Sequence, residues 1–315
     1  MTQKLNVVFC GTPDISVPTL NELFENSHIN LCGIVTMPDR PAGRGQELKS
    51  PPVAEFAKAH NIKLFQVENI NREPEVLAEL EAMNLDFILV FAFAQFLGSR
   101  VLTMPKLGCF NIHTSILPKY RGAAPIQYAL LNGDKTTGVS IQKMVKQMDA
   151  GDIVHFDETD ILASDSGESL YNKLKEKAVF STHAMIDKII AGTLTYTPQD
   201  PNGVSFAPVI KKEDGLLNFK ESTIEKINNQ IRAFDPWPGT YCFLNQLRLK
   251  VFAIEKRTTK LNAGQTTVIN DELLVGTLDG TIRLSKVQLE GKKVCTDLEL
   301  INGLKNKGGP IIINP

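Results

Sequence analysis

The sequence predicts an α/β fold built on a doubly wound parallel sheet, followed by a smaller all-β domain. Apolar runs of strand length at residues 5–10, 29–36 and 87–91 read as strands buried on both faces, as in a parallel sheet. Segments of helical periodicity lie between them, long enough for the crossovers that parallel strands require. After residue 208 the pattern changes to short strands separated by turn residues, which predicts a small barrel. The fold class is therefore Rossmann-like in the N-terminal part and OB-like in the C-terminal part. Residues 1–196 are expected to form the larger domain, 197–208 a linker rich in Pro, and 209–315 the barrel domain.

The elements follow in order. Residues 5–10 make the first strand, closed by Gly11-Thr12-Pro13. A helix comes next, with Asp14 near its cap, Pro18 in its first turn, and Val17, Leu20, Leu23 and Phe24 at helical spacing. After the strand at 29–36, residues 37–50 hold two Pro, two Gly and the cations Arg40, Arg44 and Lys49, and read as a long irregular loop. Those cations suit phosphate contacts; a solvated surface loop is the competing reading. Helices are predicted at 51–60 and 73–83, and strands at 63–66 and 87–91. Residues 92–97 would then lie at the carboxyl end of a central strand, where open α/β sheets bind ligands. A strand at 109–113, a helix at 125–131, a strand at 138–144 and a long amphipathic helix at 166–192 complete the domain. Beyond the linker, a helix at 224–234 and a rigid Asp235-Pro-Trp-Pro-Gly239 turn precede strands near 240–244, 247–254, 273–277 and 281–287.

Composition excludes several classes. With 43% hydrophobic and 22% charged residues the chain is an ordinary globular protein. Its net charge of −1 hides an asymmetry: residues 1–207 carry 18 Lys+Arg against 23 Asp+Glu (−5), and residues 208–315 carry 16 against 12 (+4). A basic C-terminal part points to a polyanionic partner. The five cysteines are scattered without zinc spacing, which predicts no metal, no disulfide framework and a reducing compartment. The first residues run directly into a strand and resemble no targeting peptide, and the longest apolar run, 87–94, is too short to span a bilayer. A cytoplasmic, membrane-free monomer is expected. Gly11-Thr12-Pro13-Asp14 lacks the G-x-G-x-x-G fingerprint, which disfavours nicotinamide dehydrogenases.

Chemistry concentrates in residues 109–125, C-F-N-I-H-T-S-I-L-P-K-Y-R-G-A-A-P. Asn111 and His113 are two apart, so on a strand they project side by side. An amide donor beside a group that titrates near neutrality suits a developing oxyanion. A buried strand histidine satisfied by backbone partners is the alternative, and spacing does not separate the two. In the turn at 147–152, Asp149 would ordinarily cap its own backbone, and the residues alone favour that reading over catalysis.

The segment H-T-S-I-L-P-K-Y-R-G-A-A-P-I resembles the signature of the folate-dependent formyltransferases. Four further landmarks run in that family's order: G-T-P-D near the start, D-R-P-A-G-R-G at 39–45, M-D-A-G-D at 148–152 and I-R-A-F-D-P-W-P-G at 231–239. The loop at 39–45 and the C-terminal part resemble the branch that acts on tRNA. The resemblance implies transfer of the formyl group of 10-formyltetrahydrofolate to the α-amino group of methionine on initiator methionyl-tRNA. It also implies catalytic positions for Asn111, His113 and Asp149, and on that ground alone Asp149 is read as catalytic. Folate contacts are expected at Phe91, Ala92, Phe93, Ala94, Gln95, Ser115, Leu117 and Pro118. There the chain departs from the pattern, with Ala92-Phe93-Ala94 where relatives commonly carry A-Y-G. Contacts to tRNA are expected from Arg40, Arg44 and Lys49, with Arg44 the key residue, and from Lys250, Lys292 and Lys293; Lys256 and Arg257 are further candidates. Rival readings are a 10-formyltetrahydrofolate hydrolase, an amino-sugar-nucleotide formyltransferase and a non-catalytic tRNA-binding module. The 39–45 loop argues against the sugar enzyme, and the intact Asn111/His113/Asp149 set against the binding module.

Overall fold

The structure, a computed structural model, describes residues 4–42, 45–305 and 313–314. The strands are β1 (Leu5–Gly11), β2 (Ile29–Thr36), β3 (Arg40–Ala42), β4 (Glu47–Lys49), β5 (Leu64–Gln66), β6 (Phe87–Phe91), β7 (Cys109–His113), β8 (Arg121–Gly122), β9 (Thr136–Lys143), β10 (Ile153–Asp160), β11 (Phe206–Ala207), β12 (Thr240–Leu244), β13 (Leu247–Arg257), β14 (Thr266–Ile269), β15 (Glu272–Gly276), β16 (Thr281–Leu289), β17 (Cys295–Thr296) and β18 (Ile313–Asn314). The helices are α1 (Val17–Glu25), α2 (Pro52–Ala59), α3 (Pro74–Ala82), α4 (Ser99–Leu102), α5 (Pro125–Leu131), α6 (Gly167–Ile190), α7 (Ile224–Ala233) and α8 (Asp297–Lys305). Two compact units result. Met1–Pro125, Thr136–Asp160 and Tyr171–Ala207 form one; Ile126–Lys135, Ile161–Leu170 and Pro208–Pro315 form the other.

The first unit is a seven-stranded sheet in the order β10-β9-β7-β6-β1-β2-β5. Its five strands from β7 to β5 are parallel, and β9 and β10 join antiparallel. The chain runs outward from β1 through β2 to β5, then returns to lay β6 against the other side of β1. The switch point, and with it the expected ligand crevice, therefore falls at the carboxyl ends of β1 and β6. Two-residue alternation puts Val8, Cys10, Ile88, Val90 and Cys109 in one core layer with Leu77 and Leu80 of α3. Phe87 and Phe110, on the opposite phase, meet edge to face at 5.9 Å. At the switch Gly11 lets the strands close up, because a Cβ there would lie 2.9 Å from the Phe91 carbonyl oxygen. That carbonyl accepts the Ser16 hydroxyl at 2.7 Å. No helix among the described residues is long and apolar enough to cross a membrane.

Two expectations change here. Residues 37–50 are not irregular: β3 and β4 pair antiparallel, with Arg40 opposite Lys49. The ladder is anchored at its base by Asp39, which accepts from Gln66 at 2.6 Å and from the Ser50 hydroxyl at 2.9 Å. The Gln66 bond foremost, then the Ser50 bond, holds the Asp39 carboxyl below its usual range. Strand β10 was not foreseen. Its sequence I-V-H-F-D-E-T-D alternates in burial, as an antiparallel edge strand with one wet face does, and contains no apolar run.

The second unit is an antiparallel sheet in the order β14-β15-β16-β13-β12-β18, with β17 on β16. Two-residue turns join β12 to β13 at Asn245-Gln246 and β14 to β15 at Asn270-Asp271, and all four residues have positive φ, as tight hairpins of this hand require. The core gathers Cys242, Leu249, Val251, Val275 and Leu284 from the strands, Ile227 and Ile231 from α7, and Leu300 and Ile301 from α8. Strands β14, β17 and β18 and helix α8 were not anticipated. At the start of α8, Asp297 is fully buried and accepts from Arg283 Nε and Nη2, both at 2.8 Å, and from the Leu273 N–H at 3.0 Å. Burial alone would push its carboxyl up, but Arg283 and the main-chain donors outweigh it and hold it low. A depressed folded-state pKa gives stability that is present above about pH 4, the unfolded value, and lost as pH falls through the folded one. Asp297→Asn is therefore expected to destabilise this unit by about 2–3 kcal/mol at pH 7 and by progressively less below pH 4. Urea unfolding followed at Trp237, the single Trp of the chain, checks it; an equal loss at pH 7 and pH 3 would refute it.

Candidate active site

Strand β7 carries Asn111 and His113 to the carboxyl edge of the sheet, one strand beyond the switch point. Its antiparallel register with β9 sets Asn111 opposite Gln142 and His113 opposite Ser140. Directly opposed residues share a face, so Gln142, only 2% exposed, arrives beside Asn111. The turn after β9 brings in Asp149, whose φ is +49°. Its carboxylate does not cap its own turn. Oδ1 accepts from Gln142 Nε2 at 2.9 Å and faces Asn111 Nδ2 at 3.4 Å; Oδ2 accepts from the Gly122 N–H at 2.8 Å.

His113 is buried, 6% exposed. Its Nε2 lies 2.8 Å from the Tyr120 carbonyl oxygen, so the proton on that nitrogen is donated there. Its Nδ1 is 3.7 Å from Asp149 Oδ2, close but beyond a direct hydrogen bond. Tyr120 is at φ +62° and Gly122 at φ +125°. A Cβ on Gly122 would stand 2.6 Å from the Ala207 carbonyl oxygen of β11, which pairs parallel with β8. Only glycine fits where the chain must turn Gly122 N–H onto Asp149. The Asn111, His113 and Asp149 side chains thus converge.

Residues expected at the folate are placed unevenly. Phe91 ends β6, and the loop after it turns on Ala92 (φ +51°) and Ala94 (φ +62°), both exposed. Left-handed backbone at Ala94 keeps the conformation that the familiar Gly would supply. Phe93 is 2% exposed within the core layer, a place with no need of a hydroxyl. The Gln95 side chain is committed to the Val67 carbonyl and the Ile70 N–H, both at 2.9 Å. Ser115 is buried and donates to the Lys119 carbonyl at 2.6 Å; Leu117 is buried, and its N–H donates to Ser140 Oγ at 3.0 Å. Pro118 is half-buried, against Gly203. The edge formed by these residues offers main-chain groups more than side-chain ones.

Of the residues expected at tRNA, Arg40 is exposed and paired with Glu68 at 2.6 Å, and Lys49 is exposed opposite it on the ladder. Arg44 lies outside the described residues. In the second unit Lys250, Lys256, Lys292 and Lys293 are exposed. Arg257 is held by Glu272 and Glu255 at 2.7 and 2.6 Å, which takes it from the list of free cations. Among the described residues no group of three His, Cys, Asp or Glu is placed to hold a metal ion. Burial pushes the Cys109 thiol, at the start of β7, up to about 12, so it supplies no thiolate near neutral pH.

Two glutamines went unnoticed in the sequence. Gln142 sits on an inward position of a buried strand, and a buried amide demands partners, so its burial was the signal to follow. Gln199 lies within the segment expected to be a linker, and no sequence feature marks it.

The family matches define a transferase of the formyl-transferring class. Residues 3–186 match the family described as Formyl transferase, and residues 209–305 its C-terminal domain; the chain belongs to that family. The methionyl-tRNA formyltransferase of Geobacter metallireducens is 37% identical over 306 residues, covering 97% of each chain. That of Bacillus subtilis is 38% identical over 310 residues, again with 97% of each chain covered. Among solved structures, the sugar 3N-formyl transferase WlaRD superposes with a TM-score of 0.66 at 20% identity, over 92% of this chain and all of that one, and shows the same fold.

Proposed function

We propose that the protein transfers the formyl group of 10-formyltetrahydrofolate to the α-amino group of methionyl initiator tRNA in the cytoplasm. The observation that carries this is similarity to methionyl-tRNA formyltransferases along nearly the whole chain, through both matched domains. The convergence of Asn111, His113 and Asp149 supports it.

The α-amine attacks in its neutral form, a small cost near neutrality because its reference pKa is about 7.7–8.0. A bond forms between the amine nitrogen and the formyl carbon, and the carbonyl oxygen becomes an oxyanion. Asn111 donates to it; its 3.4 Å contact with Asp149 is weak and leaves the amide free to do so. Protonated His113, anchored through Nε2 on Tyr120, presents Nδ1–H as a second donor, with Asp149 as counter-charge. The carboxylate takes the proton released by the amine and returns it to N10 as the bond from carbon to N10 breaks. The products are the formamide and tetrahydrofolate. The pterin is held through the main chain of the turn at Ala92–Ala94, where both Ala are exposed at positive φ, so that Phe and Ala suffice where Tyr and Gly are usual. The β3–β4 ladder enters the acceptor end, with Arg44 the principal contact and Arg40 and Lys49 in support, while Lys250, Lys292 and Lys293 hold the phosphate backbone. The enzyme acts as a monomer.

Incubation with formyl-labelled 10-formyltetrahydrofolate should place label on methionyl initiator tRNA and none on uncharged tRNA. Release of labelled formate at the same rate without tRNA would overturn the reading in favour of a hydrolase. Arg44→Ala should lower kcat/KM for methionyl-tRNA on the order of tenfold and reduce its salt slope by about one, with folate KM unmoved. Unchanged kinetics at every salt concentration would remove Arg44 from the contact.

A further inference from the structure

We infer that Gln142, Gln199 and Arg121 form a positioning set that locks the Asp149 carboxylate toward His113, a role that rests on the reading of Asp149 given above. Asp149 is not oriented by its own turn. Its backbone is left-handed, a conformation that Asp tolerates better than most residues and that here is held from outside the turn. Two glutamine side chains do the holding. Gln199 Nε2 donates to the Asp149 carbonyl at 2.9 Å and to the Gly151 carbonyl at 2.7 Å. Gln142 Oε1 accepts the Gly151 N–H at 3.0 Å.

Both amides have their oxygen and nitrogen assigned by chemistry. Arg121 can only donate, and its Nε and Nη2 lie 3.1 and 2.7 Å from Gln199 Oε1. The Gln199 nitrogen is therefore the end that meets the two carbonyls. Arg121 is itself 8% exposed, so this buried guanidinium is turned to the task of orienting an amide. In the same way the Gly151 N–H fixes Gln142 Oε1, and Gln142 Nε2 is left for Asp149 Oδ1 at 2.9 Å. With Gly122 N–H on Oδ2 at 2.8 Å, the carboxylate is pinned through both oxygens and cannot rotate about its Cβ–Cγ bond. Oδ2, the oxygen nearer His113, keeps a free lone pair for the proton in transit.

The pinning makes a distinctive prediction for Gln142→Glu, an isosteric change. The Glu can still accept from Gly151, but its second oxygen then faces Asp149 Oδ1, and two carboxylates at that distance share a proton. The acid limb of the kcat–pH profile should move to higher pH by about a unit or more. KM for folate and for methionyl-tRNA should stay within about twofold of wild type. Gln142→Met and Gln199→Met remove one donor each and should lower kcat on the order of tenfold to a hundredfold, without moving the limb upward. A Gln142→Glu enzyme with the wild-type pH profile overturns the proposal. So do Met variants whose losses fall on KM, and these decide the matter if the Glu variant fails to fold. A wild-type enzyme that does not formylate methionyl-tRNA overturns the underlying reading instead, so the two failures are distinguishable.

Discussion

Asp149→Asn is expected to lower kcat for formyl transfer by about three to four orders of magnitude, the scale on which a catalytic carboxylate matters when its charge and acceptor capacity are lost together. The geometry leaves the variant no comfortable arrangement. Oδ1 receives the Gln142 amide at 2.9 Å and Oδ2 the Gly122 N–H at 2.8 Å. An asparagine has one acceptor end, so its NH2 must meet one of these two donors. Gln142 cannot relieve the clash by turning over, because its oxygen is held by the Gly151 N–H. The variant loses the base that receives the amine proton, the counter-charge for His113, and the orientation of the turn. KM for each substrate should change far less than kcat. Single-turnover formylation of methionyl-tRNA with a melting curve as folding control checks this. A folded variant within tenfold of wild type would remove Asp149 from the chemistry.

How much of this was legible depended on which contacts the chain makes with itself locally. Strands β1, β2 and β6 were readable because burial on both faces makes a parallel strand largely apolar. The same physics hid β10, whose wet face breaks the run with His155, Asp157 and Thr159. Asn111 and His113 were readable as a pair because a strand fixes their relation over two residues. Asp149 was not: its partners Gly122, Gln142 and Asn111 stand 27, 7 and 38 residues away, and no local rule brings them together. Taken as a residue in a turn it read as a cap; the resemblance to a family supplied the role, and the structure shows a carboxylate turned outward onto other elements. Gln199 makes the same point more sharply. A segment with three Pro and no periodicity looks like a spacer, yet it carries β11 against β8 and an amide onto the Asp149 main chain. Composition reports what a segment lacks for secondary structure, and says nothing of a single side chain it delivers.

His113→Ala should cut kcat about a thousandfold or more, with equilibrium affinity for methionyl-tRNA within about twofold of wild type. That variant alone would not separate chemistry from scaffolding. The ring's Nε2 also holds the Tyr120 carbonyl at 2.8 Å, and Tyr120, itself at positive φ, begins the turn that aims Gly122 N–H at Asp149. Removing the ring takes away the Nε2 hydrogen bond to the Tyr120 carbonyl as well as the donor at Nδ1. His113→Gln resolves the two roles. Its amide nitrogen can reach the position of Nε2 and keep Tyr120 satisfied, but it offers no second nitrogen that can carry a proton toward the oxyanion. A loss in the Gln variant as deep as in the Ala variant assigns the effect to Nδ1. Recovery to more than a tenth of wild-type kcat would make His113 an anchor for Tyr120, and parallel losses of kcat and tRNA affinity in both variants would refute the assigned role altogether.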